Sequence, residues 1–355
     1  MTVLWINLAV VYLLSFLGRY FSSYDLRWIS NLKPNRFFVF LVITSLALVS
    51  GLRNNIGDTY FYMHSYGIRE LTWKDIDFTG DFGFDILQMY LQRISPDPQI
   101  MIFVTAILTN TLIVIALYRY TRVFEIAIYV YITSGMYIVS MNGIRQYLAA
   151  SIAFIATKYL LNGNFKMYTL IILLASTMHK TALVLLPIYF IVRREAWTKI
   201  TFLLLGFSII IVLGFNQFST MLFAALGNTQ YGHYSEFSEG GASILRVVVT
   251  AVPVLLAFLG KEKLKELWPK SDYIVNMSII SMVFIVISLQ SWIFARFNIY
   301  FGLYNLILIS WVLKVFKDKD QKFIYFGILF CYFLYFYYEQ ILGLRLEYKS
   351  DYIPF

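Results

Sequence analysis

Five residues sit where an apolar chain has least use for them. Arg145, Lys180, Arg246 and Arg296 lie at the ends of long apolar runs, and His179 interrupts one. Arginine grips phosphate with a rigid two-pronged fork, so cations gathered in this way suit an anionic ligand, a diphosphate above all. A histidine held at depth with few partners stays neutral and can accept a proton from a hydroxyl. These types together would support departure of a diphosphate, with the cations taking up the developing charge. Snorkelling to an interface is the plainer explanation of such cations, and it is favoured for Arg246. A histidine bonded to a backbone carbonyl is the plainer explanation of His179.

Two polar stretches supply a complement. Ser50–Tyr66, SGLRNNIGDTYFYMHSY, sets Arg53 and Asp58 beside Tyr60, Phe61, Tyr62 and Tyr66. Thr229–Gly241, TQYGHYSEFSEGG, offers Tyr231, His233, Tyr234, Glu236 and Glu239 between glycines, as a mobile substrate loop would. Flat aromatic faces can stack on sugar rings, although an interfacial aromatic belt claims many such residues in membrane proteins. Asp58 is a second candidate base beside His179.

The elements that must position these residues are apolar. The chain is 59% hydrophobic and only 14% charged, against about 25% in soluble proteins, which places it among all-α polytopic membrane proteins. Ten full spans are read at 3–21, 37–52, 100–118, 124–140, 144–161, 200–215, 244–260, 273–291, 298–315 and 323–338. No Lys or Arg precedes the first and no A-x-A site follows it, so it reads as a retained helix. Arg19, Arg27, Lys33 and Arg36 mark the first connection as cytoplasmic and the N-terminus as outside. Arg119 and Arg122, Lys158 and Lys166, Lys261 to Lys270, and Lys314 to Lys322 mark later cytoplasmic turns. Loops 53–97 and 216–243 then lie outside, within a single membrane domain over 1–355.

Lys166 and the group Arg193, Arg194 and Lys199 belong on the same side. The interval 167–192 between them is too short for two full spans and reads as a hairpin of two half-helices. Its tip is Thr177-Met178-His179-Lys180, with His179 roughly 20 Å above Lys166. Irregular backbone at such depth must lie against protein or a water-filled cavity.

Several function classes fall away. The net charge of +9 is explained by loop cations, so no nucleic-acid partner is needed. Cys331 is the single cysteine, which rules out an intrachain disulfide. His64, His179 and His233 lack metal-ligand spacing, and Asp75, Asp77, Asp81 and Asp85 could chelate a hard cation but match no EF-hand. There is no P-loop, GxGxxG or GxSxG. The reading is of a chain with no cofactor and no metal, driven by an activated substrate already in the membrane.

Three stretches, GLRNNIGDTYFYMHSY, SMNGIRQYLAASIAF and STMHKTALVLLPIYF, resemble the EpsG and Wzy family of bacterial polysaccharide polymerases. GFDILQMYLQRISPDPQIMIFVTA is similar to the family's glycine-phenylalanine segment, and DYIPF to its proline-aromatic ends. The resemblance implies a metal-independent glycosyltransferase of GT-C-like fold in the bacterial inner membrane, its site facing out. It would join oligosaccharide repeat units carried as donor and acceptor on undecaprenyl diphosphate. A flippase and a chain-length regulator of the same pathway would be partners. By carry-over, Arg53 and Asp58 are the family's loop arginine and acid, Arg145 and Gln146 its second-motif pair, and His179 its histidine. Lys180-Thr181 departs from the serine common after that histidine. An O-antigen-type ligase shares this architecture. A flippase would favour an internal repeat, which is not seen. A membrane acyltransferase would want cytoplasmic access to a thioester.

Overall fold

The structure is a computed structural model in which residues 1–25, 30, 32–226 and 240–353 are described, without the side chains of 222–226. Among the described residues it is all-α, apart from a ribbon of two short antiparallel strands, β1 (Ser23–Tyr24) and β2 (Leu32–Lys33). The chain divides into two compact units, Met1–Tyr189 with Ile309–Phe355, and Phe190–Leu308.

The first unit opens with α1 (Thr2–Tyr20) and α2 (Arg36–Gly51), which run antiparallel. The Asn35 amide donates to the Gly18 carbonyl (2.8 Å) and Ser45 Oγ donates to Asn7 Oδ1 (2.8 Å). Asn35 caps α2 by accepting from the Phe37 amide (3.0 Å), one of the donors a first helical turn leaves open. Two short helices, α3 (Thr59–Ile68) and α4 (Phe82–Ile94), fill much of the interval 53–97. They pack on α5 (Gln99–Tyr120) through buried Tyr66, Phe84, Leu91, Met101 and Ile102.

Next come α6 (Phe124–Thr133) and α7 (Met136–Asn142), which meet at a 53° bend, then α8 (Ile144–Ile155) and α9 (Thr157–Asn162). Ile144 and Leu148 of α8 join the core beneath α3 and α4. Asn164 caps α10 (Phe165–Met178) by accepting from the Met167 amide (3.1 Å). At His179 the backbone turns extended (φ −157°, ψ 118°) and helical pairing stops. A 3₁₀ turn, Lys180–Val184, leads into α11 (Leu185–Val192). The Tyr189 ring lies 4.9 Å from Phe165 and 4.9 Å from Tyr168, whose hydroxyl donates to the Leu185 carbonyl (3.1 Å). The chain therefore doubles back along α10, with 177–181 at the tip.

The second unit holds α12 (Lys199–Leu213), α13 (Phe215–Leu226), α14 (Ile244–Leu259), α15 (Lys261–Leu267), α16 (Ser271–Ile287) and most of α17 (Ile293–Val312). Asn276 of α16 donates to the carbonyls of Val192 (3.0 Å) and Arg194 (2.9 Å), and Phe284 stacks on Phe297 and Phe301 of α17 (both 5.4 Å). The first unit is completed by α18 (Asp318–Phe336), a π-helical turn Tyr337–Gly343, and the tail.

All ten apolar intervals fall on helices, but not as ten unbroken spans. Among the described residues, Thr2–Tyr20, Gln99–Tyr120 and Ile293–Val315 are long and apolar enough to cross a membrane, and the number reaches six if each bent pair is one span. Of the others, 124–140, 144–161 and 200–215 are each divided between two helices, with α12 and α13 meeting at 95° beside Gly214. Helices α2 and α16 are unbroken but short, at 16 and 17 residues, and α14 meets α15 at 81° beside Gly260.

Candidate functional site

The start of α4 abuts the end of α10. Gly83, in the first turn of α4, lies against Thr177, and a Cβ there would overlap the threonine side chain, so the approach needs glycine. Asp81 precedes α4 and so reaches the hairpin tip. Its Oδ2 lies 3.0 Å from His179 Nδ1, and its Oδ1 accepts from the Lys180 amide (2.9 Å). The carboxylate thereby caps the 3₁₀ turn, taking one of its open amides. Arg145, in the first turn of α8, closes the cluster. Its Nη1 is 3.3 Å from Asp81 Oδ2, its Nε 3.4 Å from the Tyr62 hydroxyl, and its guanidinium lies over the rings of Tyr62 (5.8 Å) and Phe84 (6.0 Å).

Burial alone would raise the Asp81 carboxyl. His179, through its hydrogen bond and charge, the Lys180 amide and Arg145 outweigh that and hold it below the usual carboxylate range. An ionised Asp81 accepts from Nδ1–H, a tautomer assigned from this contact, and leaves Nε2 as the acceptor that a base requires.

Asp58 and Arg145 are brought to one cavity by a second device. Gly57 takes φ 56° with the Asn142 side chain packed where a Cβ would stand, and Asn142 Oδ1 accepts from the Asp58 amide (2.9 Å). This ties the start of α3 to the residue before the α7–α8 turn. Arg53 serves the same junction from inside. Its side chain is 1% exposed, its Nε donates to Thr59 Oγ1 (3.0 Å), and its Nη atoms donate to the carbonyls of Ser50 and Met141. Arg53, expected to grip a diphosphate, here has its fork on backbone oxygens. Gln99 Nε2 locks the same turn by donating to the carbonyls of Gly51 (2.6 Å) and Arg53 (3.1 Å). The tail braces it, with the Lys349 carbonyl accepting from the Asn54 amide (3.0 Å) and the Tyr348 hydroxyl donating to Val49 (2.9 Å).

The cavity measures about 420 Å³ and is lined by Asp58, Phe61, Tyr62, Ser65 and Arg69 of the α3 segment, Phe84, Asp85 and Gln88 of α4, and Arg145. Of the other residues singled out in the sequence, Tyr60 is exposed and stacks on His64 (5.8 Å). Gln146 is buried beside Arg145, away from the cavity lining. The Lys180 side chain is exposed; Asp77 is held low first by its bonds to Thr79, with Lys180 adding to the effect. Arg246 and Arg296 belong to the second unit, where the Arg296 guanidinium lies over Trp292 (4.6 Å). Tyr231 and Tyr234 lie outside the described residues. Among the described residues no three His, Cys, Asp or Glu side chains converge as metal ligands. Sequence reasoning missed Asp81 as a partner of His179, and missed Ser65, Arg69, Asp85 and Gln88. The signal for the cavity was available: 58, 61, 62, 65 and 69 share one helical face, as do 81, 85, 88 and 92.

A helical chain with several apolar helices, some long enough to cross a bilayer, is a membrane protein. The model of the EpsG family matches residues 36–350, most of the chain, and the chain belongs to that family. No curated protein matches it, and neither does any solved structure.

Proposed function

We propose that the protein is a polysaccharide polymerase, a metal-independent glycosyltransferase of GT-C-like architecture. On this reading it joins oligosaccharide repeat units carried on undecaprenyl diphosphate at the outer face of the bacterial inner membrane. The observation that carries the reading is the Asp81 cluster, which sets a candidate base and a candidate diphosphate ligand on one carboxylate beside a polar, aromatic-lined cavity. Family membership supports the same class of reaction.

In the reaction, the bond from the donor's anomeric carbon to the diphosphate oxygen breaks. A bond from that carbon to an acceptor hydroxyl oxygen forms. His179 Nε2 takes the hydroxyl proton, while Asp81 orients the ring and stabilises the imidazolium that results. Arg145, whose side chain is 42% exposed, turns to the diphosphate oxygens and stabilises the charge they gain. The exposed Lys180 remains a candidate for the same anion, Arg246 and Arg296 are candidates for anion binding on their sequence setting alone, and Tyr60, Tyr231 and Tyr234 are candidates for sugar stacking. Asp58 lines the cavity and serves as a hydrogen-bond acceptor for sugar hydroxyls.

The test is to incubate purified protein with one lipid-linked repeat unit and no nucleotide. A ladder of longer products supports the polymerase. Transfer only to a lipid A core indicates a ligase, and unchanged substrate that moves between liposome leaflets indicates a flippase; either result overturns the reading.

A further inference from the structure

The cavity has a form that the reaction chemistry alone does not demand. It is a groove between two facing helical stripes, Asp58, Phe61, Tyr62, Ser65 and Arg69 on one side, Phe84, Asp85 and Gln88 on the other. Arg145 lines it and links it to the Asp81–His179 pair. Beyond Arg69, Gln92 fixes the end of α3: Nε2 donates to the carbonyls of Tyr66 (2.9 Å) and Arg69 (2.6 Å) and Oε1 accepts from the Leu71 amide (3.0 Å). A space of about 420 Å³ suits one or two sugar rings, the end of a chain, more than a longer run of it.

Its lining suits a sugar. Among the described residues, the side chains of Ser65, Asp85 and Gln88 and the carboxylate of Asp58 make no hydrogen bond within the protein, although Gln88 is only 7% exposed. Phe61 and Tyr62 offer aromatic faces beside these groups. Small-molecule sites run to about 300–1,000 Å³, mostly apolar with a few convergent polar groups, and this one falls at the small end of that range. Burial pushes the Asp85 carboxyl up, and Arg69 and Arg145 act against that. The lining sets Asp58 and Asp85 against Arg69 and Arg145; with Arg145 given to the diphosphate, two carboxylates face one guanidinium and a sugar carboxylate is disfavoured.

We infer that the groove between α3 and α4 binds the terminal mono- or disaccharide of the acceptor, a neutral or amino sugar without a carboxylate. This rests on the polymerase reading: in that reaction the acceptor presents its sugar terminus to the base, whereas the free terminus of the donor is remote. Asp58, Ser65, Asp85 and Gln88 hold ring hydroxyls, and Phe61 and Tyr62 stack on the ring.

Direct binding tests this apart from turnover. The probe is the repeat-unit oligosaccharide released from its lipid diphosphate, titrated calorimetrically into the full-length protein. The wild type should bind it. Asp85→Asn and Gln88→Ala should each weaken binding by about tenfold, the usual loss when a buried polar contact is removed, with thermal unfolding unchanged. A disaccharide ending in a neutral or N-acetylamino sugar should compete, and one ending in a uronic acid should not. Wild type that fails to bind the oligosaccharide, variants that bind as the wild type does, or preference for the uronic end would each overturn the inference. A ladder that forms while the variants bind normally removes the groove assignment and leaves the polymerase standing. Binding lost in the variants without any ladder does the reverse.

Discussion

Two arginine–carboxylate pairs stand at opposite ends of the first unit, and they are built for different purposes. At the end where α1 finishes and α6 begins, Arg19 Nε meets both oxygens of Glu125 at 2.6 and 2.7 Å. Glu125 is wholly buried, and the Tyr325 hydroxyl, itself 2.7 Å from Tyr12, donates to it at 3.3 Å. Every strong partner there comes from α1, α6 or α18, so the cluster fastens three helices. At the other end, Arg145 reaches Asp81 at 3.3 Å, keeps 42% of its side chain exposed, and shares the carboxylate with His179. The first pair is closed. The second can exchange its partner for a ligand, and that difference marks a site more securely than the presence of charge does.

The comparison is broken most severely at Arg145. Arg145→Ala should lower chain extension by about 100- to 1000-fold, the usual cost of removing a charge-stabilising donor, with normal insertion and yield. Arg19→Met should do the opposite: extension per folded molecule stays near wild type, while stability falls. It strands the buried Glu125 charge, and breaking a buried pair costs about 3–5 kcal/mol. Glu125→Gln should cost less, because the remaining Arg19 is 35% exposed and keeps contact with solvent. Product ladders and thermal unfolding in detergent separate the two outcomes. Loss of extension in Arg19→Met at unchanged stability would erase the distinction.

The next effect lies within the open cluster. His179→Ala should reduce extension by about 100-fold, the lower end of the range for a general base. Asp81→Asn should cost less on its own and almost nothing further in the His179→Ala background, because Asp81 acts through the imidazole. Rates from the single and double variants check this, and additive losses would assign Asp81 an independent role.

Much of this architecture was legible from residue patterns, and the exceptions have physical causes. Apolar runs located the helices, since length and hydrophobicity are local properties. Their breaks at Ser134-Gly135 and Gly214 carry no sign of a bend as large as 95°, which depends on what packs outside the turn. His179 and Arg145 stood out as polar groups in apolar surroundings. Asp81 did not, because one acid among several in 53–97 looks alike until a contact 98 residues away selects it. Arg53 is the converse case. Its sequence setting fits an anion site, but the carbonyls of Ser50 and Met141 lie within reach and occupy the guanidinium.

The smallest expected effect concerns two acids one helical turn apart. Asp81 is held below the ordinary carboxylate range and Asp85 is pushed above it, first by burial. The stability that Asp81's partners confer is present above the ordinary carboxylate pKa and lost only as the pH falls through its depressed value. Asp85 therefore takes a proton first on acidification. The groove then loses a carboxylate that accepts from sugar hydroxyls while the Asp81–His179 pair is still intact. The acceptor KM should rise by a few-fold on the acid side before Asp81 protonates, and Asp85→Asn should remove that rise. KM and kcat measured against pH in both proteins decide it. An acid-side rise in KM that persists in Asp85→Asn would place the titrating group elsewhere, and would leave Asp58 as the groove acid to test next.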